Sequence, residues 1–483
     1  MAREHFDVLI VGAGLSGIGA GYHLQTRCPG KSYAILEARG CSGGTWDLFR
    51  YPGIRSDSDM FTLGYSFKPW TDPKAIADGP SILSYVRQTA AEHGIDRHIR
   101  FGHRVISAGW SSPDAMWTVE VEQGAGGQRM TLSCRFLLMC SGYYNYARGY
   151  TVDFPGAADF RGQIVHPQHW PADLDHAGKR VVVIGSGATA VTLVPEMART
   201  AAHVTMLQRS PSYVIARPSH DRLAEKLRGW FGPRLAYQLI RWRNVLLNLA
   251  VFKLCRAAPA SAKALLLAGV RAALGADYDL GTHFTPRYNP WEQRLCLVPD
   301  GDLFRAIARG GASVVTGAIE TFTERGVRLD DGAELAADLV VTATGLDVQM
   351  LGGAQIIVDG TPVDFARTLT YKSLMFSDVP NLASVFGYTN ASWTLKSDLI
   401  AEYVCRLLTY MDRKGYTICT PHNSDASLPT APWVDFSSGY LQRALPRLPR
   451  QGLRRPWTLD QNYLRDILTL RFGRIDDGVM RFS

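Results

Sequence analysis

The sequence predicts an α/β protein with two Rossmann-like dinucleotide-binding units, and three observations carry that prediction. A short apolar run, DVLIV at 7–11, leads into the glycine-rich turn GAGLSG at 12–17. The arrangement repeats with RVVVI at 180–184 and GSGATA at 185–190. A third apolar run, DLVVTATG at 338–345, reads as a buried strand ending in a small-residue turn. Both glycine turns answer the same need. A parallel strand must turn sharply into a helix whose N-terminal N–H groups face a pyrophosphate, and side chains would block that approach.

In the first unit Gly12, Gly14 and Gly17 form the turn, 15–25 continues as a helix, and YAIL at 33–36 is the next strand. Glu37 follows, 20 residues beyond Gly17. A carboxylate there accepts hydrogen bonds from ribose hydroxyls, which suits the unphosphorylated adenosine ribose of FAD. In the second unit Gly185, Gly187 and Ala190 form the turn, a helix runs from Ala188, and HVTML at 203–207 is the next strand. No acid follows it. Gln208, Arg209 and Ser210 stand there instead, and an arginine beside a hydroxyl suits a 2′-phosphate that a glutamate would repel, so NADPH is favoured over NADH.

Length and composition fit this plan. A chain of 483 residues has room for two or three cores, and 46% hydrophobic with 20% charged residues is a soluble globular balance. The eight cysteines show no CxxC pair and no metal-ligand spacing, which predicts reduced thiols, a cytoplasmic location and no metal site. The apolar start is too short for a signal peptide, and no run reaches the length of a membrane span.

The charge is concentrated. Overall it is 52 − 44 = +8, and residues 221–271 hold ten basic side chains (Arg222, Lys226, Arg228, Arg234, Arg241, Arg243, Lys253, Arg256, Lys263, Arg271) against Asp221 and Glu225. Leu, Ala, Trp and Phe recur there at helical spacing, which predicts a helical insertion over about 219–283. Three readings stay open for it. It draws anionic NADPH inward, it lies on an anionic membrane surface near Trp230, Phe231 and Trp242, or it packs as a helical hairpin on the NADPH domain with a solvated basic face. Nucleic-acid binding is not expected, because the basic residues are scattered through an apolar helical pattern.

Two further stretches narrow the chemistry. The loop GGTWDLFRYPGIRSD at 43–57 has paired glycines for close backbone approach, with Trp46, Tyr51 and Pro52 suited to form a wall beside a planar ring. The connection FRGQIVHPQHWP at 160–171 carries Phe160, Gly162, His166 and Trp170. The first fits the pattern [AG]GxWxxxx[FY]P[GM]xxxD and the second fits FxGxxxHxxxWP, and together they resemble the signatures of the Baeyer–Villiger class of flavin-dependent monooxygenases. Related flavin-containing monooxygenases usually end the second pattern in tyrosine. Residues 47–70, 166–170, 288–304 and 388–398 are similar to the ethionamide-activating branch of that family.

The resemblance implies FAD, NADPH and O2 as reactants. A peroxyflavin inserts one oxygen atom into ketones to give esters or lactones, or oxygenates sulfur in thioethers and thioamides. It implies Arg294 as the active-site cation, with Asp57 orienting it and remaining ionised, and Gly44, Thr45 and Trp46 beside Asp57 in the FAD loop. His166 and Trp170 are expected to fix the linker and couple domain movement to NADPH binding. Many members carry lysine just before the active-site arginine where this chain has Gln293, so the phosphate clamp rests on Arg209 and Ser210.

The expected organisation is a discontinuous FAD domain, 1–145 plus 335–483, around an NADPH domain, 146–334. A helix is expected from the segment 387–398 through Met411, its N-terminal end toward the flavin's pyrimidine edge, with Trp393 and Trp457 as candidate substrate-pocket walls. Two alternatives remain. One is a flavoprotein NADPH oxidase or reductase without oxygen insertion, although Cys41 has no partner at CxxxxC spacing. The other is a non-catalytic nucleotide-binding module at a membrane surface.

Overall fold

The computed structural model describes residues 4–124 and 126–483. Among them, one sheet has nine strands, in the order Thr361–Pro362, Gln355–Val358, His103–Ser111, Met116–Gln123, Gln128–Met139, Glu4–Val11, Tyr33–Glu37 and Ile99–Phe101, with Leu382–Ser384 also paired to Gln128–Met139. Its centre is parallel, with Val8 opposite Tyr33 and Leu9 opposite Leu137. Val8, Leu9 and Ile10 are 0% exposed, which is why this strand reads as an unbroken apolar run rather than an alternation. The second sheet has five parallel strands, Ala312–Thr316, His203–Gln208, Arg180–Ile184, Leu339–Thr342 and Gln163–Val165.

The position of Leu339–Thr342 corrects one boundary. Val340 pairs with Val182 on one side and Ile164 on the other, so a domain boundary at 335 cuts the second sheet. An all-apolar parallel strand suits either sheet equally, and its sequence does not say which it joins. The two fingerprint turns explain the placement. Gly12 (φ +104°) and Gly185 (φ +136°) have backbone conformations that L side chains rarely adopt. A Cβ on Gly12 would lie 2.7 Å from the Cys140 carbonyl oxygen, and one on Gly185 would lie 2.4 Å from that of Ala343. Leu339–Thr342 is therefore to the second fingerprint what Gln128–Met139 is to the first. The return to the first sheet comes after it. There the two chain crossings lie side by side: Tyr144 bridges Val348 antiparallel, and the Asn145 N–H donates to the Asp347 carbonyl at 2.8 Å.

The basic segment forms helices Arg222–Ala257, broken at Gly232, then Pro259–Leu274 and Leu280–Phe284. It is not a hairpin seated on the second unit alone. The inner face of the first helix packs on the turn at 59–65 of the first unit, where the Tyr237 hydroxyl donates to the Tyr65 carbonyl at 3.0 Å and the Asn244 amide to Asp59 at 2.8 Å. Val270, Leu280 and Phe284 instead enter the core beneath the second sheet. Arg241, one of the basic residues, is buried and donates to the carbonyls of Phe61 (2.7 Å) and Gly64 (2.8 Å). Beside it the buried Asp398 carboxylate accepts the Ser66 N–H at 3.1 Å and lies 3.5 Å from His23 and 3.9 Å from Arg241. Asp398 belongs to the helix Trp393–Lys414, which packs across Leu15–Arg27.

Arg241 thus ties the insertion to both the 59–65 turn and the central helix, and removing one partner of such a buried set strands the others. Arg241→Met is expected to lower stability to urea by about 3 kcal/mol, while the exposed Arg234→Met changes it by less than about 0.5 kcal/mol. Equal urea midpoints for the two variants would contradict this anchoring role.

Candidate active site

The first nucleotide site is built at the ends of Glu4–Val11 and Tyr33–Glu37. Gly14 is the N-cap of Leu15–Arg27 and supplies no side-chain cap, so the N–H groups of the first turn are left for a ligand, while Gly17 packs on the Gly12 carbonyl. Glu37 is buried, accepts the Ala13 N–H at 2.8 Å and the Arg39 N–H at 2.9 Å, and is pushed above the usual carboxylate range by burial against those two bonds. A carboxylate has about four acceptor positions, so capacity remains for a ribose diol. Gly44 touches Gly14, and Thr45 opens a single turn, Thr45–Leu48, with its hydroxyl 3.4 Å from that of Tyr146. Trp46 is half-buried against the core of the first unit. These residues fit an adenine dinucleotide whose ribose carries two free hydroxyls.

Asp47 holds this loop in place. It is 1% exposed, with Arg39 at 2.6 Å, Arg87 at 2.8 Å, Arg50 at 3.2 Å and the Cys41 thiol at 2.9 Å. Burial works to raise its pKa, but the thiol and the three guanidinium groups hold it below the usual carboxylate range. From there the loop crosses to the second unit. Tyr51 packs on the second core, where burial pushes its phenol up to about 12. A Cβ on Gly53 would lie 2.9 Å from Cβ of Glu196 on the helix Ala188–Met197, and Arg55 pairs with Asp302.

The second nucleotide site has Gly187 as N-cap of Ala188–Met197, again without a side-chain cap and with open space where a Cβ would stand. Ala190 is buried beneath the turn. At the end of His203–Gln208 the side chain of Gln208 turns inward and donates to the His283 carbonyl at 2.7 Å and the Thr316 hydroxyl at 2.9 Å. Arg209 and Ser210 face outward, and among the described residues Arg209 has no carboxylate partner. Ser186 in the turn bonds the Ser210 carbonyl and the Ser212 hydroxyl, joining fingerprint to phosphate loop. A free cation, a hydroxyl and no acid fit a phosphorylated ribose.

The connecting motif is structural in each of its parts. Phe160 is buried beneath the second sheet and leans over Gly162, from which Gln163–Val165 adds to the edge of that sheet. His166 accepts the Gln168 N–H at 3.1 Å and lies against Gly149, so closely that a Cβ on that glycine would be 2.0 Å from the imidazole. Burial lowers its pKa. The Gln168 amide reaches the Asn145 carbonyl at 2.8 Å, and Trp170 packs on the second core. The motif therefore grips the crossing near Asn145 to the second sheet.

Between the two sites the structure brings Asp57 and Arg294 together, with Nε of Arg294 2.6 Å from Oδ2 of Asp57 and both side chains 34% exposed. Arg294 enters from the segment before the strand Cys296–Pro299, whose neighbours Leu295 and Cys296 are buried, and its Nη1 donates to the Thr389 carbonyl at 3.4 Å. Burial would lower its pKa, but the Asp57 carboxylate and the phenols of Tyr143, Tyr440 and Tyr144 raise it, so its charge is fixed across the working pH range. Arg294 opens into a small cleft with Tyr143, Tyr388, Trp393, Phe436 and Tyr440 on its walls.

Trp393 is one of those walls. It stacks on Tyr143 with centroids 5.3 Å apart and donates to the Ser16 hydroxyl at 2.8 Å. Trp457 is not. It is 4% exposed, packs edge-on to Tyr371 at 5.7 Å, and is core, because the chain after residue 452 folds away beneath the first unit. Helix formation begins at Trp393, so 387–392 is a loop, whose Tyr388 and Thr389 line the cleft. Sequence reasoning missed Tyr143 and Tyr440. The repeat Tyr143-Tyr144 directly after a central strand was an available signal, whereas Tyr440 lies in a stretch with no motif.

Comparison with known proteins places this geometry. The model of the flavin-binding monooxygenase-like family matches residues 66–227, and that of an NAD(P)-binding Rossmann-like domain matches 10–71. The FAD-containing monooxygenase EthA of Mycobacterium tuberculosis is 56% identical over 481 residues, 99% of this chain and 98% of that protein. A structure of oxidized steroid monooxygenase bound to NADP superposes with a TM-score of 0.72 at 26% identity, covering 86% of this chain and 87% of the other. An open structure of cyclohexanone monooxygenase superposes with a TM-score of 0.78 over 100% of both chains at 20% identity, a likeness of fold. With more than half of its residues shared along nearly its whole length, the chain belongs to the family of FAD-containing monooxygenases.

Proposed function

We propose that this protein is an FAD-containing, NADPH- and O2-dependent monooxygenase of the Baeyer–Villiger type. The observation that carries the reading is the Arg294–Asp57 pair, held between two nucleotide sites and opening into an aromatic cleft. Bound FAD, reduced by NADPH, supplies the oxygen-activating chemistry. The chain supplies the rest. Asp57 orients the guanidinium, and Arg294 presents a permanent positive charge where negative charge develops on oxygen. Arg209 and Ser210 select the 2′-phosphate, and the grip of His166 on Gly149 lets the two units move as coupled bodies. The flavin unit comprises residues up to about 145 and from about 346 onward, and the nicotinamide unit lies between. Its substrates are ketones, which give esters or lactones, and thioethers or thioamides, which are oxygenated at sulfur. Eight unpaired thiols, seven of them buried, suit the reducing cytoplasm.

The direct test is to reduce the flavoprotein anaerobically with NADPH and admit isotopically labelled O2 with and without a ketone or thioether. One labelled atom in an ester or sulfoxide is expected. Stoichiometric hydrogen peroxide with unchanged substrate would make the protein an oxidase instead.

Two variants separate the roles. Arg294→Ala is expected to leave anaerobic flavin reduction by NADPH largely unchanged and to lower product formation by roughly 10²–10³-fold; product at the wild-type rate would remove Arg294 from the chemistry. Arg209→Ala deletes a charged contact worth about 1.5–3 kcal/mol, so KM for NADPH should rise roughly 10- to 100-fold with KM for NADH unmoved. Parallel changes for both nucleotides would show that Arg209 does not read the phosphate.

A further inference from the structure

The outer face of the helix Arg222–Ala257 is apolar where a water-facing helix should be polar. Leu235, Leu239, Trp242 and Leu246 follow one another at steps of four, three and four residues, which keeps them on one side of a helix, and each is between 40% and 51% exposed. The opposite side is the one that packs: Ala236, Tyr237, Ile240, Arg241 and Asn244 are buried. The helix thus presents one face to the protein core and a second, apolar stripe on the side away from it. Before the break at Gly232 stand two further exposed aromatic residues, Trp230 and Phe231, 72% and 50% exposed. On its other flank the Trp242 ring lies 6.0 Å from Tyr463, where a C-terminal helical run begins that carries Leu468 (65% exposed) and Phe472 (69% exposed). Scattered exposed leucines need no explanation, but four apolar side chains along one helix face, with further exposed aromatic rings just before the break, mark a binding surface.

Charge identifies the partner. No acidic residue lies between Glu225 and Asp277. Lys226, Arg234 and Lys253 are exposed and have no carboxylate within ion-pair distance among the described residues, so their charge is free to act outward. A second copy of this chain would set this unrelieved positive charge against itself, because a twofold contact brings the same patch to both sides. An anionic lipid surface meets both demands at once, with phosphate for the cations and the acyl boundary for Trp230, Trp242 and the leucines. Contact rather than crossing is the geometry available. Among the described residues no single helix is long and apolar enough to cross a bilayer, and Arg222–Ala257 with Pro259–Leu274 passes that test only as a pair bent by 116°.

We infer that the outer face of Arg222–Ala257, with Leu468 and Phe472 beside it, docks the protein on anionic bilayers. The surface leads toward the cleft. Val245 on this helix packs with Tyr388 and Leu395, and Phe252 meets Trp291 at 5.6 Å, three residues before Arg294. The inference is independent of the oxygen chemistry and is tested by flotation of the FAD-loaded full chain with vesicles of phosphatidylcholine alone or mixed equally with phosphatidylglycerol. The protein is expected to float with the mixed vesicles and to stay below with phosphatidylcholine alone.

Lys226→Gln with Lys253→Gln should weaken partitioning about fivefold for each charge removed. Leu239→Ser with Leu246→Ser should weaken it at least about tenfold. Both variants should keep the wild-type rate of NADPH oxidation, which shows that they are folded. Absence of wild-type protein from the floating fraction overturns the inference, as does undiminished flotation of both variants. A shift from dimer to monomer in sedimentation of the leucine variant, with vesicle binding unchanged, would assign the stripe to a second copy instead.

Discussion

Everything at the centre of this molecule depends on bringing one guanidinium from the second unit to one carboxylate of the first. Arg294 sits just before a strand that pairs with Val214–Arg217, and Asp57 ends a loop that starts at the first fingerprint. Their 2.6 Å contact exists only if that loop crosses from one unit to the other on a fixed path. Asp47 fixes its beginning with three arginines, and Gly53 against Glu196 together with the Arg55–Asp302 pair fixes its end. A buried carboxylate with one cation would be a poor investment against its desolvation, but three guanidinium groups and a thiol leave few of its acceptor positions empty. The rigidity of the loop is what makes a two-body site behave as one.

This dependence also separates the labour of the two nucleotides. On the proposed reading the 2′-phosphate is selected by Arg209 and Ser210, which are exposed after the strand His203–Gln208 and joined to the fingerprint through Ser186. Arg294 faces the cleft and is held by Asp57. In a chain where Gln293 takes the place of a lysine, the neighbour of the central cation contributes no charge, so on the proposed reading selection of NADPH and stabilisation of charge on oxygen fall to different arginines. Each can then be altered without the other.

The parts of this design that obey local rules were legible in the sequence. Strands at 4–11, 33–37, 180–184 and 203–208 were expected from the largely apolar runs at 7–11, 33–36, 180–184 and 203–207, and the turns after the first and third from glycines that backbone contact requires. The sheet membership of Leu339–Thr342 was not legible, because the pairing of an apolar strand is decided by its neighbours and not by its own residues. The same holds for Trp457 and Trp393, whose types say only that they are large and apolar at one end. A stack on Tyr143 makes one a wall of the cleft, and burial behind Tyr371 makes the other core. Arg241 shows the limit most plainly. In composition it was one of ten basic residues, and in the fold it is an internal anchor that satisfies carbonyls from the far unit.

The shape of the cleft rests on such internal polar contacts as well. Tyr388 forms part of its wall, and its hydroxyl donates at 2.5 Å to Asp466, which also lies 2.8 Å from the buried ammonium of Lys396. Burial and the Asp466 carboxylate hold the Tyr388 phenol well above its ordinary pKa, so it remains a donor throughout the working range. Lys396 belongs to the helix that begins at Trp393, and Asp466 to the C-terminal run that passes Trp242. The Lys396–Asp466 ion pair and the Tyr388 hydrogen bond to the same carboxylate hold these two helices against each other, whereas apolar packing alone would let them slide. The wall facing Arg294 is therefore positioned from the last segment of the chain. The same segment bears Leu468 and Phe472 on the outer surface, so one short run carries both an exposed apolar face and the carboxylate that positions Tyr388.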